Sequence, residues 1–220
     1  LCLLTSLMLR AQVWEPLGGP LAVEVAEVEV NSVGTLFFIT PQGLHRSLDN
    51  GDTWEPLQNG LPTTGLSDLL VAPNDHVFLF GAGNLLYRSV DEGLSWLAVN
   101  NGQSFINGQC LAANAAGVLF MGMGWSQIQR SYDDGDTWTA MPVTASELDV
   151  IAAGQGDTLF AGYDNGPLNG GIIRSVDGGD TWSYLSYGLG SNDTQALGIN
   201  QVGHVFAGTD VGSGLLRDRK

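Results

Sequence analysis

Short apolar runs, not long amphipathic ones, set the pattern of this chain. TLFFIT (35–40), VFLFGAG (77–83), VLFMGMG (118–124), TLFAGYD (158–164) and VFAGTD (205–210) recur at steady intervals. Four of them are preceded by another run of the same kind: LSDLLVAPND (66–75), QCLAANAAG (109–117), ELDVIAAGQG (147–156) and TQALGINQVG (194–203). Gly, Asn and Asp separate the runs. Runs of this length, rich in Val, Leu, Ile and Phe and bounded by turn residues, predict strands joined by hairpins. No stretch of about 10–15 residues keeps its apolar positions at helical spacing, so no helix is expected.

The pattern also repeats as a unit. Each second run leads into a third that carries Arg-Ser, at Arg46, Arg88, Arg130 and Arg174, and then into a fourth that carries a Trp, at 54, 96, 138 and 182. Self-similarity at a period of about 40 residues signals a repeat architecture, and four short strands per unit describe a propeller blade. The expected fold is all-β: a β-propeller of four-stranded antiparallel blades, forming a single domain over residues 12–220. Four units are complete, near 22–57, 66–99, 108–141 and 147–185, and a fifth, 194–217, supplies three runs. The segment VWEPL (13–17) matches the fourth run WEPL (54–57). If it completes the fifth unit, five blades close into a ring with no free sheet edge. A longer parent with six or more blades fits the same sequence.

Composition narrows the functions. Eight Lys+Arg against 23 Asp+Glu give a formal charge of −15. Nucleic-acid binding needs clustered cations and is not expected; nor is attachment to an anionic membrane. Residues 1–11 resemble the apolar core and end of a secretory signal peptide, which predicts a secreted, periplasmic or cell-surface protein of bacterial type. No other stretch is apolar for long enough to be inserted in a membrane. Cys2 and Cys110 form no disulfide framework or metal motif, and His45, His76 and His204 share no repeat position, so no metal or other cofactor is expected.

The turn between the third and fourth runs has a recognisable pattern, Ser-x-Asp-x-Gly-x-Thr/Ser-Trp. It reads Ser47, Asp49, Gly51, Trp54; Ser89, Asp91, Gly93, Trp96; Ser131, Asp133, Gly135, Trp138; and Ser175, Asp177, Gly179, Trp182. This resembles the Asp-box, or BNR repeat, of the sialidase-like propeller superfamily. The units look most like those of secreted bacterial BNR-repeat proteins and of the photosystem II assembly factor and sortilin propellers. The resemblance implies that the box is a fold element at the outer edge of each blade. The chemistry agrees: the Asp accepts hydrogen bonds within its own turn, the Gly supplies φ > 0 and the Trp packs beneath. A calcium loop would need a closing Glu that is absent, and a catalytic carboxylate would not recur four times. Sialidase chemistry would need three Arg from different blades gripping the substrate, but only Arg10 and Arg219 lie outside the repeat. The repeated Arg are expected to face solvent or to pair with nearby turn carboxylates. No catalytic residue is assigned.

Function on a repeat scaffold is sought where the repeat breaks. Phe105, Trp125, Tyr163, Asp164, Asn165 and Tyr187 are the candidates for a surface that binds a protein or glycan, the longest insertion being 163–171. Acids outside the boxes are Glu24, Glu27, Glu29, Asp68, Asp75, Glu147, Asp149, Asp164 and Asp193, and the first run could bring one or two of its Glu to the ring axis. Two functions follow. One is a noncatalytic exported scaffold or binding module for protein or glycan partners, whose identity the sequence does not give. The other is a polysaccharide-active glycoside hydrolase, or a part of one, using paired carboxylates near the axis.

Overall fold

The computed structural model describes residues 24–81, 83–99, 108–123, 127–143, 145, 147–164, 170–185, 194–209 and 215–217. The strands among them form five antiparallel sheets, each in chain order. Blade 1 holds β1 (Glu27–Val30), β2 (Leu36–Thr40), β3 (Gly43–Ser47) and β4 (Glu55–Leu57). Blade 2 holds β5 (Asp68–Val71), β6 (Val77–Gly81), β7 (Leu85–Ser89) and β8 (Leu97–Ala98). Blade 3 holds β9 (Gly108–Ala113), β10 (Leu119–Met123), β11 (Gln127–Ser131) and β12 (Thr139–Met141). Blade 4 holds β13 (Leu148–Ala153), β14 (Leu159–Tyr163), β15 (Gly171–Ser175) and β16 (Ser183–Tyr184). Blade 5 holds β17 (Thr194–Ile199), β18 (Val205–Thr209) and β19 (Leu215–Arg217). Segments 1–11 and 13–17, assigned from sequence to a leader and to a shared strand, lie outside the described residues.

The hairpins form where short side chains can close them. Asn31 Oδ1 accepts the amides of Val33 (3.2 Å) and Thr35 (2.8 Å), turning the chain from β1 into β2. Asn114 and Asn200 do the same in blades 3 and 5. A side-chain carbonyl mimics a backbone turn at these points, which is why Asn recurs there.

The core lies between blades. Phe37 packs with Leu69, Val77 and Leu79 of blade 2, and Phe78 with Leu119 and Met121 of blade 3. Phe120 packs with Leu148, Ile151 and Leu159 of blade 4, and Phe160 with Val205 and Ala207 of blade 5. Each of these Phe holds the same place in its second strand, so one joint is built four times. Burying such a side chain contributes about 1.5–3 kcal/mol, and a lone blade would leave both faces of its sheet wet. The first strands lie side by side, β1 against β5, β5 against β9, β9 against β13 and β13 against β17. The sheets therefore radiate from a common line, the propeller arrangement expected from the repeat.

Candidate functional site

The four boxes close in the same way. Ser47 Oγ donates to Asp49 Oδ1 (2.8 Å) and accepts the amides of Asp49 (3.3 Å) and Gly51 (2.8 Å). Asp49 then accepts the amide of Thr53 (2.8 Å) and its hydroxyl (2.6 Å). The same five bonds occur around Asp91, Asp133 and Asp177. The Thr or Ser hydroxyl, and next its amide, hold all four carboxyls below the ordinary range, Asp177 at about 2. Trp96, Trp138 and Trp182 donate their indole N–H to the box Gly carbonyl at 2.9–3.0 Å. Trp54 departs from this pattern: its ring meets Phe38 edge-on at 4.4 Å, and Phe38 stacks on His45.

The repeated Arg do more than face solvent. Arg46 Nη1 donates to the carbonyl of Glu92 (2.6 Å), Arg88 to that of Asp134 (2.6 Å) and Arg130 to that of Gly178 (2.8 Å). Each Arg thus reaches from its own third strand into the box of the next blade, onto a residue of positive φ. Asp136 and Asp180 accept a further bond from Arg88 and Arg130, each at 3.0 Å. The second box has Leu94 at that place, and Arg46 binds Glu55 of its own blade instead. His76 also crosses a joint, with Nδ1 2.7 Å from Asp134 Oδ2.

At the inner strands the structure gathers acids. Register places Glu27 opposite Ile39, Asp68 opposite Phe80 and Cys110 opposite Gly122, so the three occupy one repeat position in consecutive blades. Glu27 Oε2 accepts the amide of Leu69, one residue beyond Asp68, at 2.6 Å. Asp68 in turn takes the amide of Leu111, one residue beyond Cys110. First strands are sheet edges, and their free amides need acceptors once buried; the neighbouring blade supplies them. The Asp68 and Glu27 carboxyls are neighbours, and Asp68 Oδ2 is buried without a donor among the described residues. Burial, then the negative charge of Glu27, pushes the Asp68 carboxyl well above the carboxylate range. Burial raises Glu27 as well. Glu29, on the same face of β1, is pushed up to about 7 by burial and by repulsion from Glu27. The Cys110 thiol is buried and raised by desolvation, then by Asp68 and Asp149. Among the described residues no group of three or more His, Cys, Asp and Glu side chains could hold a metal ion, and no helix is long and apolar enough to cross a membrane.

Of the sequence candidates for a binding surface, Phe105, Trp125, Asn165 and Tyr187 lie outside the described residues. Asp164 is half-buried beyond β14 and its amide donates to the Glu147 carbonyl (2.8 Å). Tyr163 is a correction: only 6 % exposed, it belongs to the joint around Leu148 and Ile173, because β14 continues to it and turns its ring inward against Tyr184. Sequence reasoning named Glu27, Glu29 and Asp68 among nine scattered acids but did not pair them. The signal was available: aligning the units on their second strands puts Glu27 and Asp68 in one column.

No family model matches the sequence, and no curated protein matches it. The fold has many counterparts among solved structures. Virginiamycin B lyase from Staphylococcus aureus superposes with a TM-score of 0.69 at 14% identity, over 89% of this chain and 69% of that one. The GH74 xyloglucanase from Xanthomonas campestris gives 0.68 at 17% identity, over 86% of this chain and 36% of the enzyme. YCF48 bound to D1 peptide gives 0.57 at 18% identity, over 72% and 53%. The chain thus shares a β-propeller fold with a lyase, a xyloglucanase and a protein bound to a peptide, and spans about a third of the xyloglucanase.

Proposed function

We propose that this chain is the propeller part of a polysaccharide-active glycoside hydrolase, working at the inner strands of blades 1 and 2. The observation that carries this reading is the placement of Glu27 and Glu29 two residues apart on one face of β1. Strand geometry separates such positions by about 6.6 Å, inside the roughly 5–9 Å window of paired glycosidase carboxylates. Glu29, pushed up to about 7, keeps a proton to give to the glycosidic oxygen. Glu27, in its unit with Asp68, carries the negative charge that takes a proton from the attacking water. The reading takes the protein as exported, on the character of residues 1–11.

Xyloglucan, the polysaccharide for which the Xanthomonas relative is named, is the first substrate to test. Reducing ends should appear, and Glu29→Gln should lower kcat by about 10²–10⁴-fold. Activity should fall as pH rises through about 7, because the acid must be protonated to act. Absence of cleavage across xyloglucan and other β-glucans would sink the proposal. A second reading, a noncatalytic binding module, is favoured by the engagement of Glu27 with the Leu69 amide and Asp68. A glycan or peptide bound without cleavage, with affinity indifferent to Glu29→Gln, would mark that reading instead.

A further inference from the structure

We propose that Glu27 and Asp68 form a proton-binding site that joins blades 1 and 2 at their inner strands, holding one proton between two carboxyl groups and loosening the joint when it leaves. Asp68 Oδ2 is shut off from solvent and no ordinary donor reaches it. The carboxyl group set against it is that of Glu27, at the same repeat position of the neighbouring blade. Two carboxylates cannot bond each other unless one carries a proton, and an unpartnered buried carboxylate oxygen is costly. Glu27 already accepts the Leu69 amide at 2.6 Å, so it is the acceptor, and the proton resides on Asp68.

The surroundings fix the sense of the switch. From β1, Glu27 and Glu29 face Asp68, and both are acidic. From β9 the Cys110 thiol faces it, with Asp149 of β13 acting on the same thiol. Losing the proton breaks the Asp68 O–H bond, sends H⁺ to water and leaves two negative groups in contact. Two carboxylates so close cannot both ionise comfortably. The Leu69 amide is then held by a carboxylate that is being repelled, and the inner edge of the joint opens. Because the folded state binds the extra proton, stability must fall as pH rises above the ordinary carboxylate range. Protonation also sets the charge of the inner strands, so the switch acts on whatever they bind.

Asp68→Asn tests this directly. The amide side chain keeps the acceptor for the Leu111 N–H and presents a permanent N–H to Glu27, a proton that cannot leave. Between pH 6 and pH 9 the wild-type Tm should fall, and D68N should lose less than half as many degrees. An equal loss in both proteins overturns the proposal. The second measurement needs no variant: in a ¹³C-labelled wild-type chain, the Asp68 carboxyl should keep its protonated shift at pH 7. An ionised Asp68 at pH 7 overturns the proposal whether or not D68N folds. Neither readout depends on hydrolysis, so the catalytic reading can fail without touching this one.

Discussion

At the residue scale the boxes were legible in sequence because every bond that closes them is local. Ser131, Asp133 and Thr137 lie within six positions, and their chemistry suffices to draw the turn. Asp133→Ala removes one acceptor for an amide and two hydroxyls, a loss comparable to that of a helix cap, about 1 kcal/mol. For a chain of this size that lowers Tm by about 2–4 °C, and thermal melts would show it. Gly179 makes a sharper case. Its φ is +98°, and an added Cβ would run into Met141 of the preceding blade. Gly117 has φ +81° with open space around it. Ala at 117 measures the backbone strain alone, so Ala at 179 should cost more by the energy of displacing Met141. Equal Tm losses would show that the blades do not meet at the box glycine. Tyr163 went unread for the opposite reason: an insertion sequence looks exposed, and only the continuation of β14 shows that its ring turns inward.

At the element scale the reading failed where partners are far apart in the chain. The Arg latches span 46–48 residues, and no local pattern reveals that Arg88 is bonded to Asp134. Their logic is nevertheless consistent: each of Arg46, Arg88 and Arg130 takes one carbonyl and at least one carboxylate, Arg88 lying 3.2 Å from Asp134 Oδ2 as well as on Asp136. Asp136 and Asp180 bring the carboxylate from the next blade, while Leu94 cannot, and Glu55 brings it from the same blade. Arg46 is 5 % exposed, so this substitution matters. Glu55→Ala should destabilise the protein by about 1.5 kcal/mol. In a Leu94→Asp background the same change should cost less, with a coupling of about 0.5–1 kcal/mol. Denaturant melts of the four proteins would measure it, and strict additivity would mean that the new carboxylate does not reach Arg46.

At the scale of the whole molecule, two sets of carboxyls pull against each other. The outer boxes hold Asp49, Asp91, Asp133 and Asp177 below their ordinary range, so their contribution is present above about pH 4 and lost as pH falls toward 2. The inner acids are raised, so theirs is present below about pH 4 and lost as pH rises, for Glu29 through about 7. Tm should therefore peak between about pH 4 and 6 and decline on both sides. A flat profile from pH 5 to 8 would contradict the inner set. The blade architecture was visible from the repeat because each unit restates it. The inner acids share a column of the repeat, but that they meet depends on how one blade registers against the next.

The latches carry one more implication. Each Arg binds a main-chain carbonyl, and the residues that offer it are Glu92, Asp134 and Gly178, two acids and a glycine with no side chain at all. The carbonyl half of each latch is therefore blind to the side chain of its partner and demands only that the turn have the right shape, while the carboxylate half tunes it. Blades built this way are interchangeable parts. One can be duplicated, or its surface rewritten for a new ligand, while its neighbour still finds the same oxygen in the same place.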